Sequence, residues 1–115
     1  MFRRAADLRH SLLAGEDAGR LDALWRLLAR DVTSHLSHEE RLLENAEYPA
    51  LDWHEHQHRT ARARLAAVER SIRNGQRPLI FEAIEAFARW LRDHTSVADR
   101  MAGSYLRNHE RANSA

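Results

Sequence analysis

The sequence predicts an all-α fold: an up-down-up-down antiparallel four-helix bundle with a shortened first helix. Three observations predict it. Apolar residues recur at steps of three and four, no alternating β-branched segment indicates a strand, and only four glycines and two prolines interrupt the 115 residues. Short turns between long helices then place consecutive helices antiparallel.

Glycine, proline and asparagine divide the chain into four predicted helices, at residues 2–14, 17–46, 51–73 and 79–107. Gly15 closes the first helix, which is short for a bundle of this kind. Tyr48-Pro49 follows the second helix, and Asn74-Gly75 is a typical stop signal for the third. Pro78 precedes the fourth, since proline is tolerated at the start of a helix.

Composition limits the function classes. A chain of 13.3 kDa forms one domain, predicted as a bundle over residues 1–108 with a frayed polar tail at 109–115. The 18 bases, all arginine, and 17 acids leave a formal charge of +1, which argues against a nucleic-acid partner. The sequence has no cysteine, hence no disulfide and no thiolate metal site. No signal peptide or membrane-spanning run is recognisable, so we expect a cytoplasmic protein without a membrane partner.

Ionisable residues occupy core positions in three of the four predicted helices, and histidine is abundant, with 8 in the chain. The apolar stripe of the second helix continues through His35 and Glu39 to Leu42. The third helix begins its stripe with His54 and His58. The stripe of the fourth runs through Leu91, His94, Ala98, Met101 and Tyr105. Burying such groups without partners costs several kcal/mol each, so a shared partner is needed.

The predicted antiparallel arrangement places these residues at one height. Counting outward from the third turn sets His94 opposite His58, and counting from the second turn sets Glu39 opposite the same residue. The other candidates lie within about one helical turn, or ~5–8 Å, of that layer: His35, His54 and Asp99. Imidazoles and carboxylates from three helices therefore converge, and a metal ion is the simplest partner that makes their burial tolerable.

The motifs that carry these residues are His35-Leu-Ser-His-Glu39-Glu40, Tyr48-Pro49 with His54-x-x-x-His58, and Trp90-Leu91-x-x-His94-x-x-x-x-Asp99. Together they resemble the hemerythrin family, specifically its single-domain bacterial members. The resemblance extends from about residue 12 to residue 105. The combination of HxxxE, HxxxH and HxxxxD is highly specific, although each motif alone is weak.

The resemblance implies a non-haem di-iron site that binds O₂ reversibly and transforms no substrate, so the protein would not be an enzyme. It implies six metal ligands: His35, Glu39, His54, His58, His94 and Asp99. Three of the histidines would hold one iron, His35 would belong to the other, and the two carboxylates would bridge both. Imidazole and carboxylate suit iron chemically. The role is open between O₂ storage, delivery, sensing and nitric oxide scavenging, as is the oligomeric state.

Two features depart from the expected pattern. The spacing of five between His94 and Asp99 separates them by about 140° on a regular helix, so a π-bulge or a carboxylate reaching in from the flank is needed. The family also has a histidine on the first helix, and here the position facing His35 falls before Met1. His10 lies about 18 Å too close to the turn to replace it. We therefore hypothesise an N-terminally shortened chain with an incomplete second iron site, and an in-frame histidine three residues upstream of Met1 would support this.

Three alternatives compete with the oxygen carrier. Residues 54–58 read His-Glu-His-Gln-His, which matches the HExxH helix of zinc hydrolases, but Glu55 is expected to face away from the stripe. A ferritin-like di-iron oxidase needs two Glu-x-x-His pairs, and only Glu55-x-x-His58 has that form. The absent first-helix histidine favours a metal-free or single-metal four-helix interaction module.

The remaining aromatic and histidine residues are interpreted more simply. Bundle packing is expected for five aromatic side chains: Trp25, Trp53, Phe87, Trp90 and Tyr105. Trp90 and Met101 are alternatively walls of an O₂ pocket, where a dry apolar lining would protect bound oxygen. His38 is expected at the surface or just outside the ligands, and His56 in solvent.

Overall fold

A computed structural model describes residues 1–114, which form five helical segments. They are α1 (Phe2–Leu13), α2 (Ala18–Asn45), α3 (Leu51–Asn74), α4 (Arg77–Ser96) and α5 (Ala98–Ser114). Helices α1 to α4 pack around one core, and α5 continues the fourth position of the bundle after an interruption at Val97. The molecule measures 56 × 20 × 19 Å. The predicted all-α four-helix bundle with a short first helix is confirmed.

The helix ends follow from local chemistry. The Asp17 side chain accepts a hydrogen bond from the Arg20 backbone amide at 2.9 Å and caps α2. Gly75 ends α3 with a φ of 71°, a conformation in which a side chain would be strained. Helix α4 begins at Arg77, before Pro78 rather than after it, because proline in the first turn removes no helical hydrogen bond.

The C-terminal end of the bundle differs from the prediction. Helix α5 continues to Ser114 instead of ending near residue 107, and no glycine or proline after that point interrupts it. Residues 109–114 of the predicted frayed tail are thus helical, while Ala115 lies outside the described residues. The domain boundary at residue 108 stays a prediction.

The core stripe of α3 is as predicted, with His54 and His58 buried in line with its apolar residues. Two predicted core residues are wrong. Leu42 is 43% exposed and Leu43 is buried, because a straight helix drifts by about 20° per seven residues and carries the buried face one position on. Met101 is 52% exposed, since the interruption at Val97 shifts the phase of the fourth stripe.

The apolar core consists of two clusters with the ionisable residues between them. The larger cluster joins α1, α2, α3 and α4. The smaller one is formed by Leu43, Tyr48 and Ala102. Beside it, the Tyr105 hydroxyl donates a hydrogen bond to the Ala46 carbonyl at 2.7 Å and ties α5 to the end of α2. Polar side chains are therefore enclosed by apolar packing above and below.

The aromatic residues divide between core and surface. Phe87 is fully buried, and the Trp25 indole donates to the Leu65 carbonyl at 3.0 Å, as expected for bundle packing. Trp53 is 43% exposed, so its predicted packing role is wrong, because it lies on the outer side of α3 next to the inward-facing His54. Among residues 1–114, no helix combines the length and the apolar character required to cross a membrane.

Candidate metal centre

Five of the six predicted ligands converge at one point in the bundle. Each offers one donor atom, and these atoms all lie within 4.8 Å of one another. They come from four helical segments: Glu39 of α2, His54 and His58 of α3, His94 of α4, and Asp99 of α5. The common height that was predicted from turn positions is thus observed.

Three imidazoles form what we term the three-histidine side of the centre: His54, His58 and His94. Their Nε2 atoms surround one oxygen of each carboxylate. The Nε2 of His58 lies 3.1 Å from Glu39 Oε1, the Nε2 of His94 lies 2.9 Å from Asp99 Oδ1, and the Nε2 of His54 is hydrogen-bonded to Glu39 Oε1. The three side chains are at most 2% exposed. This side is closed to solvent.

His35 forms the opposite side, termed here the His35 side. Its Nε2 lies 3.7 Å from Glu39 Oε2 and 3.7 Å from Asp99 Oδ2, the carboxylate oxygens that the three-histidine side leaves free. The His35 side chain is 39% exposed, and His35 is outside the group of five whose donors lie within 4.8 Å. Each carboxylate thus faces histidine on both sides, as bridging ligands would.

The interruption of the fourth helix solves the spacing problem between His94 and Asp99. Val97 takes φ −117° and ψ −68°, and α5 restarts at Ala98, which brings Asp99 Oδ1 to the His94 ring. The Thr95 hydroxyl donates to the Leu91 carbonyl at 2.8 Å and competes for helical acceptors there. Asp99 also lies in the first turn of α5, where the helix dipole stabilises a negative charge.

Several buried polar atoms in the centre have no hydrogen-bond partner within residues 1–114. These atoms are Nε2 of His35, both ring nitrogens of His94, Nδ1 of His54 and Oδ1 of Asp99. The His94 and Asp99 atoms are close enough for a hydrogen bond, yet their angles do not make one. Donor atoms that lie close without bonding one another are what a shared cation requires, so the residues fit a metal of the kind that imidazole and carboxylate bind.

The charges of the centre are strongly coupled. Burial alone would raise the pKa of Glu39, but hydrogen bonds from His54 and His58 outweigh it and hold that pKa far below its ordinary value. Burial likewise opposes the shift at Asp99, where contacts with His35 and His94 lower the pKa. Burial disfavours a charged His94, yet the two carboxylates raise its pKa to about 9. Because the pKa of His94 is raised and those of both carboxylates are lowered, a cation bound here would compete with a proton on His94.

Two contacts around the centre were missed by the sequence reasoning. The Glu40 carboxylate lies 2.9 Å from the Nδ1 of His58 and also accepts a hydrogen bond from the Arg62 guanidinium. The Trp90 ring stacks on the His94 imidazole, with centroids 4.6 Å apart and an interplanar angle of 14°. Glu40 belongs to the quoted HxxxEE motif, which was the available signal, whereas Arg62 carried none.

Trp90 and Met101 line different cavities. Trp90 borders a cavity of about 210 Å³ that reaches His94 and is otherwise walled in part by Trp53. Met101 borders a more open cavity of about 540 Å³ that reaches Asp99 and includes Arg100. One predicted wall residue therefore lies near the three-histidine side, and the other lies near Asp99.

The remaining predicted positions lie outside the cluster. His38 and His56 are exposed, as expected, and Glu55 of the HExxH pattern is half-buried but is not among the five converging residues. Helix α1 packs on the core through Ala5, Leu8 and Leu12, and its Arg4 forms a partly exposed ion pair with Asp31 of α2 at 3.2 Å. Within residues 1–114 no α1 side chain joins the cluster.

Comparison with known proteins gives one match. The model of a family described as Hemerythrin HHE cation binding domain matches residues 1–106. No curated protein and no solved structure matches the chain. The family match includes every residue of the centre.

Proposed function

Because that match covers most of its length, the chain belongs to the hemerythrin HHE cation-binding domain family, and from this premise we propose that it is a non-haem di-iron protein that binds O₂ reversibly. The family and the donor cluster together indicate metal binding. The proposal adds the identity of the metal, the number of ions and the ligand. In it the protein is a carrier or sensor in the cytoplasm and not an enzyme.

The observation that carries the proposal is the division of the carboxylate oxygens. Glu39 and Asp99 each direct one oxygen to the three-histidine side and the other to His35. A single ion would need only one oxygen from each. Two carboxylates with imidazoles on both sides favour a pair of ions, and the predominance of histidine over carboxylate favours reversible binding, as the family resemblance implies.

In the proposed centre the six candidate ligands have different roles. His54, His58 and His94 would hold one iron, His35 would bind the other, and Glu39 and Asp99 would bridge. When bound, the iron pair supplies the redox chemistry by which O₂ is held and released. The buried imidazoles and the Trp90 ring exclude water from the three-histidine side. The His35 side chain is 39% exposed although its Nε2 is buried, so a small ligand such as O₂ or NO would approach from the His35 side.

A single-metal form is the second candidate, and one observation favours it. The His35 side has one imidazole, and α1 adds no donor within the described residues. An ion held there would have few protein ligands, so we expect it to exchange readily or to be lost. The zinc hydrolase is less favoured, because Glu39 rather than Glu55 lies between the two histidines of the HExxH pattern.

The test is anaerobic loading with ferrous iron, followed by metal analysis and an optical spectrum before and after exposure to air. Two irons per chain and an oxygen-dependent charge-transfer band that disappears on deoxygenation are the expected results. One tightly held iron without such a band would favour the single-metal form. A preparation that takes up zinc alone and cleaves peptides would overturn the proposal.

A further inference from the structure

Glu40 follows Glu39 on α2 but contacts the outer edge of the centre. Its Oε1 lies 2.9 Å from the Nδ1 of His58, whereas the Nε2 of the same ring lies 3.1 Å from Glu39. The His58 imidazole is therefore held between two carboxylates, one at each nitrogen. A neutral imidazole carries one proton, so once a metal ion takes the Nε2 lone pair, the proton is left on Nδ1, where Glu40 can accept a hydrogen bond from it.

Arg62 fixes the Glu40 carboxylate from the next turn of α3. Its Nη1 donates to Glu40 Oε1 at 3.1 Å, and its Nη2 donates to Oε2 at 3.3 Å. A two-pronged guanidinium contact sets the plane of a carboxylate as well as its position. The Glu40 side chain is 23% exposed, so the pair is partly shielded from water.

The outer nitrogens of the other two buried imidazoles lack such support. The Nδ1 atoms of His54 and His94 are buried without a hydrogen-bond partner in the described part of the chain. Among the three-histidine side, His58 alone shows this outer contact within residues 1–114. An equivalent carboxylate on a ligating histidine orients the ring and increases its basicity.

We propose that Arg62 and Glu40 form a positioning pair that keeps the proton of His58 on Nδ1 and its Nε2 lone pair directed at the metal. The inference rests on the proposed metal centre but not on the number of ions or on O₂. The order of effects follows from the contacts: Glu40 touches His58 directly, and Arg62 acts through Glu40. We expect Glu40→Ala to weaken metal binding about 10- to 100-fold and Arg62→Ala to weaken it by less than about tenfold.

The experiment uses Zn²⁺ alone as the probe, since it is redox-inert and diamagnetic. Competition with a chromophoric chelator measures the dissociation constants of the unmodified chain and of Glu40→Ala, Glu40→Gln and Arg62→Ala. The control is Arg73→Ala, which removes an exposed arginine paired with Glu69 on the same helix. Glu40→Gln retains an oxygen that can accept from Nδ1, so it should recover part of the lost affinity. The melting temperature of each metal-free variant shows whether it folds.

A second measurement separates positioning from a purely structural effect. In the Zn²⁺-loaded chain labelled with ¹⁵N-histidine, the Nδ1 proton of His58 should give a downfield resonance that is retained in Arg73→Ala and lost in Glu40→Ala. Zinc affinity within twofold of the unmodified chain in Glu40→Ala, or a proton found on Nε2, would overturn the pair's role. Failure of the unmodified chain to bind Zn²⁺ at all would overturn the metal centre as well.

Discussion

The two sides of the centre use the same kinds of donor but are built differently. The three-histidine side is at most 2% exposed and draws on α3 and α4, with Glu40 and Trp90 supporting its rings from outside. The His35 side has one imidazole, 39% exposed, on α2. Glu39 and Asp99 face both sides. The difference lies in the number of helices that hold the imidazoles and in the exclusion of water.

In the proposed di-iron centre, this contrast predicts that the two metal positions differ in affinity. Rigid, dehydrated donors lose little freedom when an ion binds, and contacts outside the ligands keep them oriented. The His35 side chain is 39% exposed, so an ion on that side would be less shielded from water. We therefore expect the three-histidine side to fill first and to retain its ion longest.

The largest effect should come from Glu39, because it serves both sides. Replacement by glutamine removes the charge that balances the buried imidazoles, and both ions should be lost, with affinity lowered more than about 100-fold. Metal analysis after desalting measures this. Glu44→Gln, an exposed change on the same helix, should keep the full metal content. Retention of both ions by the Glu39 variant would contradict the bridging role.

His58→Leu should empty the three-histidine side and leave the fold intact. Leucine restores the apolar stripe of α3, so the metal-free chain should stay folded, although Glu39 and Glu40 lose the imidazole between them. Circular dichroism tests whether the helices are retained, and metal analysis tests whether the metal is lost. His56→Leu, an exposed change two residues earlier, is the matched control. Unchanged iron content in His58→Leu would refute the assignment.

His35→Leu should act on one side alone. We expect one ion per chain to be lost while the tightly held ion remains, because the Nε2 atoms of the other three histidines still surround Glu39 and Asp99. A calorimetric titration with ferrous iron under anaerobic conditions would then show a single binding event. His38→Leu, an exposed change on the same helix, should bind like the unmodified chain. Loss of both ions in the His35 variant would show that the two sides are not separable.

The smallest effect is expected at Trp90. Its ring stacks on His94, and aromatic contacts of this kind contribute about 0.5–1.5 kcal/mol, so Trp90→Leu should weaken the first ion by roughly 2- to 10-fold. The chelator competition described above measures it. Trp25→Leu also removes an indole but contacts α3 at Leu65, and it should lower the melting temperature without this loss of affinity. Equal affinity losses in both variants would assign the effect to general packing.

Helical periodicity predicted much of the fold because the buried face of α3 keeps its rhythm for about five turns, from His54 to Ile72. The same reasoning gave Leu42 and Met101 as core residues, and both are exposed. A fixed repeat ignores the slow drift of a straight helix in the first case, and an interruption of the helix in the second. The sequence showed that His94 and Asp99 needed such an irregularity but did not show where it lies.

The donor set was predictable because each ligand interrupts an apolar stripe or lies beside one. The contacts that surround these candidate ligands could not be predicted from the sequence. The approach of Glu40 to the Nδ1 of His58 depends on the rotation of α2 relative to α3 and on side-chain torsions, neither of which a repeat pattern specifies. Arg62 is one of many arginines in the chain, and only its distance to Glu40 distinguishes it.

The break at Val97 makes one carboxylate the link between the centre and the last helix. Asp99 is the ligand candidate that α5 provides, in its first turn, directly after the break. An ion held by Asp99 would stabilise α5 against local unfolding, because opening of that helix would also remove a ligand from the ion. Loading should therefore slow amide hydrogen exchange in residues 98–106 more than in α1, which within the described part of the chain contributes no residue to the centre.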